Sequence, residues 1–367
     1  MRVLPASLIG LSLACAAVAL TGAGSTARAF PVSDGAFTYW SPDGHTIVAQ
    51  DDADVTQLWS AHTGAKIASL GDNLGAAYSP DGTRVAVTGC CVPPSRAAVY
   101  DTNSGRRLYS LVPPDSTGTW GAIFSPDGTL LATADYDHRA RIHDASTGKI
   151  LQTFWGPTEN DVVTFSPDGS RIATTEDGNT ARIWSVATGR QLHTFTAHPD
   201  DGFASITFSP DGTLFAGGML HGAEIWDARN GRLIRSFPVE SRFSRASFSP
   251  DGKLLAVTGA RGVRVYSART WRLRRAFRVD AHLGVNARFS PDGKLLATGS
   301  ADGYARLWAL ATGRLLVELQ AGTIGANRVS SVYSVDFSPD GKRLVTSSAE
   351  TMVWSVATGR RLRVLHD

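Results

Sequence analysis

Residues 285–319 read VNARFSPDGKLLATGSADGYARLWALATGRLLVEL, and this stretch decides the fold. Val285, Ala287 and Phe289 alternate with Asn286 and Arg288, the period of a half-buried strand. Ser290-Pro291-Asp292-Gly293 is then a tight turn, in which Pro291 fixes φ at the second position, Ser290 caps the first and Gly293 takes a positive φ at the exit. A second strand is predicted over 294–300, a turn at Ala301-Asp302-Gly303, and a third strand over 304–309 that carries Leu307-Trp308. Thr312-Gly313 turns the chain again into a fourth strand over 314–319. The product is one small antiparallel sheet.

The same unit recurs. Ser-Pro-Asp-Gly begins at Ser41, Ser79, Ser125, Ser166, Ser209, Ser249, Ser290 and Ser338, a mean spacing of about 42 residues, within the roughly 40 to 45 expected of four-stranded propeller blades. The third strand carries an aromatic ring each time, at Trp59, Tyr100, His143, Trp184, Trp226, Tyr266, Trp308 and Trp354. In blades 2, 3 and 5 it is followed by Asp101, Asp144 and Asp227. The spacing and these dipeptides together resemble the Trp-Asp signature of WD40 repeats, over residues 35–367. The resemblance implies an all-β fold: a closed propeller of eight four-stranded antiparallel blades, with seven as the alternative count, forming one domain over 30–367. Blade 1 begins near Gly35 and blade 8 ends with its own fourth strand over 361–366, so closure is expected without strand exchange. A short pairing by residues 30–33 stays open.

WD40 blades often hold their strands with a buried chain of His, Ser or Thr, Asp and Trp. Blade 7 alone offers all four types, as His282, Ser300, Asp302 and Trp308, although His282 lies nearer the turn than in the usual repeat. Blade 5 has His198 and Trp226 but Gly218 and Leu220 between them. The other blades must rely on apolar packing between sheets, as Phe124, Phe165, Phe208, Phe248, Phe289 and Phe337 at equivalent positions suggest, with Trp59, Trp184 and Trp354 as structural residues.

Composition agrees with a globular protein, at 43% hydrophobic and 19% charged residues. Met1 to Ala29 has a basic Arg2, an apolar run over 3–20 and Ala27-Arg28-Ala29, and reads as a secretory signal, with an uncleaved anchor as the alternative. The protein is accordingly expected to be a bacterial, exported member of its family, periplasmic or extracellular. Cys15 departs from the lipoprotein pattern. Removing Arg2 and Arg28 leaves 34 basic against 33 acidic residues, a balance that argues against nucleic acid as a partner. No other stretch is long and apolar enough to span a bilayer, and a monomer is expected. Cys90 and Cys91 are adjacent, and form either a strained vicinal disulfide or two thiols.

Metalloprotease, serine-hydrolase and phosphate-loop motifs are missing, and the nine histidines form no ligand set. No cofactor or metal is expected. Asp51, Asp52 and Asp54, and likewise Asp135 and Asp137, fit solvated turns better than calcium loops. Arg269, Arg272, Arg274, Arg275 and Arg278 charge the fourth strand of blade 6, which guards an edge against pairing or meets an acidic partner. Strand alternation places the turns between second and third strands on one face with the connections between blades. That face varies most around blades 2 to 4, where Pro93, Pro94, Pro113, Pro114, Trp120, Tyr136, His138 and Trp155 gather, and it is the expected site for a protein or cell-envelope ligand. Two functions remain open, a binding scaffold and an enzymatic propeller of the lactonase or quinoprotein type. N-terminal sequencing of the exported protein is expected to begin near Phe30; an intact Met1 on soluble cytoplasmic protein would overturn the leader assignment.

Overall fold

A computed structural model describes residues 37–50, 55–72, 75–89, 97–111, 118–155, 162–176, 179–198, 201–239, 244–279, 285–322, 324–325 and 328–366. Eight four-stranded antiparallel sheets follow one another, over 38–72, 75–110, 119–155, 163–196, 203–238, 246–278, 285–320 and 334–365. In each, neighbouring strands are consecutive in sequence. Blade 7 shows the pattern: strands Val285–Phe289, Leu295–Ser300, Tyr304–Ala309 and Leu315–Gln320. An added hairpin, Ile324–Gly325 with Arg328–Val329, lengthens the connection to blade 8.

The Ser-Pro-Asp-Gly turn closes on itself. Ser290 Oγ donates to Asp292 Oδ1 at 2.6 Å and accepts from the Leu295 amide at 2.9 Å, while Gly293 sits at φ 68°. In blade 6 the place of the Thr-Gly glycine is taken by Trp271, at φ 57°, whose ring packs 6.0 Å from Phe237 of blade 5.

First strands are mostly buried and fourth strands are mostly exposed, which puts the first strands around the axis and the fourth on the rim. On the fourth strands of blades 3 to 6 the buried exception is a phenylalanine. Phe154 packs on Trp184 (5.7 Å between centroids), Phe195 on Trp226 (5.5 Å), Phe237 on Tyr266 (4.3 Å) and Phe277 on Trp308 (5.3 Å). In every case the fourth strand of one blade covers the third-strand ring of the next. Such pairs contribute on the order of 1 kcal/mol beyond the area they bury. The expected first-strand phenylalanines are buried as well, apart from the half-buried Phe289.

Closure needs no exchanged strand. Leu365 of blade 8 joins one apolar cluster with Trp59 and Trp40 of blade 1, repeating the contact made between the other blades. Asp336 Oδ2 accepts the Trp40 amide at 3.1 Å, and the Arg343 guanidinium lies 4.6 Å from the Trp40 ring. Arg171 does the same between blades 4 and 5, donating to the carbonyls of Ala228 (3.0 Å) and Gly212 (2.8 Å) over the ring of Phe208. Arg275 likewise reaches the Ala311 carbonyl of blade 7. On the same strand Phe277 is buried while Leu273, four residues earlier, is exposed. Phe195→Ala should cost about 3 to 5 kcal/mol in denaturant unfolding, whereas Leu192→Ala, three residues away on the exposed face, should stay within about 0.5 kcal/mol; equal effects would contradict this account of ring cohesion.

Candidate functional site

Blade 3 brings together four of the residues singled out by sequence. Trp120 lies on strand Thr119–Phe124, Tyr136 and His138 on the turn between Leu130–Asp135 and Arg139–Asp144, and Trp155 ends Ile150–Trp155. Tyr136 stacks on Trp120 with centroids 4.2 Å apart, and its amide donates to the Gly118 carbonyl at 3.2 Å. A side chain at Gly118 would press on that ring, its Cβ only 3.0 Å away. Tyr136 is therefore half-buried and structural. Trp155 is the exposed ring, 66% accessible, and it sits opposite Arg139 across the strand pair with the guanidinium 3.9 Å from the ring centroid. His138 is exposed at φ 66°, the place held by Gly303 in blade 7. Pro93, Pro94, Pro113, Pro114, Cys90, Cys91 and His282 lie outside the described residues, as do Asp51, Asp52 and Asp54.

Beneath the turn is a charged network. Asp135 is fully buried and accepts from Thr119 Oγ1 at 2.8 Å and from Arg141 Nη1. Asp137 takes both guanidinium nitrogens of Arg141, at 2.9 and 2.5 Å, and lies 3.4 Å from Arg139. The expectation of a solvated acidic turn is thus corrected. These carboxylates face two arginines, and the pairing fixes the backbone that presents Tyr136, His138 and Arg139.

The repeated geometry has a counterpart among known families. Residues 105–144, 148–185, 189–227, 274–309 and 321–354 match the WD40 model, described as WD domain, G-beta repeat, and together make just over half of the chain. The chain belongs to the WD40 repeat family. Most of its WD40 matches begin at the fourth strand of one blade and end at the third strand of the next. A comparison with curated proteins finds no match. Among solved structures, the computationally designed Ika8 protein superposes with a TM-score of 0.70 over 94% of this chain and 100% of that one, at 17% identity, a likeness of fold alone.

In this WD40 chain the buried hydrogen-bonded set is assembled differently from the expectation. Trp308 Nε1 donates to Thr298 Oγ1 at 3.0 Å, where the resemblance had implied a chain through Ser300 and Asp302. Ser300 donates instead to Asp302, which also holds Arg306 at 2.7 Å. Trp184 pairs with Thr174 (2.9 Å), Trp354 with Thr346 (3.0 Å) and His143 with Thr133 (3.1 Å). Blade 5 has Gly217 at this place, and Phe203 fills the space beside Trp226. Sequence reading passed over Arg141, Arg182 and Arg306, each pairing with an acid on or just after the second strand. The available signal was their common place, sixteen residues after the serine of the turn, with Asp137, Glu176 or Asp302 four or six residues earlier.

In blade 3 the network joins a histidine to the buried carboxyl through a threonine. His143 Nδ1 faces the Gly148 carbonyl at 3.0 Å, so Nδ1 bears the hydrogen, and in the neutral ring Nε2 accepts from Thr133. Thr133 Oγ1 also lies 3.1 Å from Asp135 Oδ2. Thr133 has one hydroxyl hydrogen, which can serve only one of these two acceptors at a time. Burial pushes the Asp135 carboxyl from 3.8 up to about 6, and burial pulls the His143 ring down. Burial thus favours the neutral form of both groups, and their contributions to stability run in opposite directions as pH falls. Variants should separate them. In Asp135→Asn, the depressed His143 alone remains, and stability should drop as pH falls below about 6.5. In His143→Asn, the raised Asp135 alone remains, and its contribution, on the order of 2 kcal/mol, should be full below about pH 4 and vanish as pH rises through about 6. Melting temperature against pH for the three proteins checks this, and three parallel curves would sink it.

Proposed function

We propose that the protein is an exported, non-enzymatic scaffold that captures another protein or a cell-envelope ligand on the inter-blade face, at blade 3. The observation that carries this reading is the exposed Trp155 ring held over Arg139, which is itself steadied by Asp137. Trp and Arg are the side-chain types enriched at binding hot spots, and a pair fixed before association loses less conformational freedom on binding. The acids beneath them are occupied by Arg141, which supports binding over catalysis. Among the described residues no helix is long and apolar enough to cross a membrane. The near-neutral charge supports a partner other than nucleic acid, and the leader supports export and a periplasmic or extracellular monomer.

His138 adds a second mark of this turn. A non-glycine residue in the left-handed region costs on the order of 1 kcal/mol, and such strain collects at binding and catalytic sites. Trp155→Ala should weaken capture from the cell-envelope fraction by about 2 kcal/mol, roughly 30-fold, with little change in melting temperature. His138→Gly should raise the melting temperature. If capture survived Trp155→Ala and was lost on reversing Arg272 and Arg274 to glutamate, the site would belong on the rim of blade 6.

A further inference from the structure

In four blades the third strand carries an arginine two residues before its aromatic ring, as Arg141, Arg182, Arg264 and Arg306. Three of them meet a carboxylate of their own blade: Arg141 meets Asp135 and Asp137, Arg182 lies 3.1 Å from Glu176, and Arg306 lies 2.7 Å from both Asp302 and Glu318. In blade 7 one acid comes from the rim, since Glu318 of the fourth strand stands directly opposite Arg306. Blade 6 breaks the pattern. Opposite Arg264 its fourth strand has the exposed Ala276. Arg264 makes no ion pair among the described residues, and its one polar contact there is 3.5 Å to the Pro238 carbonyl of blade 5.

Further cations stand where the acid would be. Arg274 and Arg278, both exposed, flank Ala276 two residues to either side, on the face that Arg264 shares. Arg235 of blade 5 lies on the same face as Phe237, which packs on Tyr266, and so looks across at them. None of these three is in an ion pair among the described residues. Residues 246–279 hold eight basic residues and one acid, Asp251, on a chain whose formal charge is only +3. Like charges set this close repel. Charge on an edge strand guards it against stray pairing, but Arg264 lies one strand in from the edge, where no guard is needed.

We propose that the facing rims of blades 5 and 6 are a docking surface for an extended acidic segment of a partner protein, one of whose carboxylates takes beside Arg264 the place that Glu318 holds beside Arg306. A guanidinium fork matches the two oxygens of a carboxylate. The spacing fixes the form of the segment. Arg274 and Arg278, four residues apart on one strand, are separated by about 13 Å, the distance between the first and third glutamates of an extended chain in which every second residue is glutamate. A bilayer presents its charge as a plane, whereas these cations follow a strand. The surface is separate from Trp155 on blade 3, and neither requires the other.

Calorimetric titration of the full chain with acetyl-Ser-Glu-Ser-Glu-Ser-Glu-Ser-amide, and with its isomer of equal charge acetyl-Ser-Ser-Glu-Glu-Glu-Ser-Ser-amide, tests this. The alternating peptide is expected to bind saturably and about tenfold more tightly than the isomer. Arg264→Gln should weaken its binding about tenfold, while Trp155→Ala leaves it unchanged. Ala276→Glu, which supplies the pairing seen in blade 7, should raise the melting temperature and abolish peptide binding. Both substitutions lie at exposed positions, and the melting curves verify that the variants fold. Equal affinities for the two peptides, or binding undiminished in either rim variant, would overturn the proposal. Binding of neither peptide would do the same, and would assign the patch to a membrane if phosphatidylglycerol vesicles then bound.

Discussion

The contact between a fourth-strand apolar side chain and the third-strand ring of the following blade is what the rest of the molecule depends on. A four-stranded sheet has two faces and cannot bury both alone. Phe195 shows the solution: its strand is otherwise exposed, yet this one ring is enclosed by Phe215 and Trp226 of blade 5. Because Leu365 and Trp59 share a cluster across the join between blades 8 and 1, the last interface is of the same kind as the others. Arginines such as Arg171 and Arg343 add a polar clamp at some interfaces, their guanidinium groups lying over an aromatic ring of the next blade while donating to its carbonyls.

A ring held this way leaves its turns free to differ. Blade 3 uses that freedom for a packed aromatic pair, an exposed ring over an arginine and a buried charge network, and these features belong together. Arg141 joins Asp137 to the deeper Asp135, and Arg139 shares Asp137 while stacking on Trp155. The presentation of the exposed ring is thereby tied to charges that water does not reach. At the axis the balance differs, with Asp336 divided between Arg288 and a backbone amide.

The eight turns and the third-strand rings made the propeller, its blade number and its closure legible, because each is a local pattern repeated at one period. What stayed hidden are contacts that join different periods or contradict alternation. Phe154, Phe195, Phe237 and Phe277 look like ordinary strand residues until the next blade is placed beside them. Arg141 follows the polar phase of its strand and reads as solvent-facing, yet Asp135 and Asp137 fold back over it. Trp155 and Tyr136 were indistinguishable as exposed aromatics, and only the close approach at Gly118 separates a packed ring from an open one. His138 could be suspected only by laying its turn over that of blade 7 and noticing a missing glycine.

Each sheet being made of strands adjacent in sequence has a consequence for how such a ring can change. Where a blade borrows a strand from the far end of the chain, the first and last units are unlike the rest, and any insertion between them must respect that join. Here every connection between blades is of one topological kind, so adding or deleting one period leaves all the remaining sheets intact. The sheets meet through a fourth-strand side chain set against a third-strand ring, as Phe on Trp in blades 3 to 5 and 6 to 7 and as Leu365 beside Trp59 at the join. A change in the bulk of those few side chains would therefore alter the angle between neighbouring sheets, the quantity on which the number of blades in a closed ring turns.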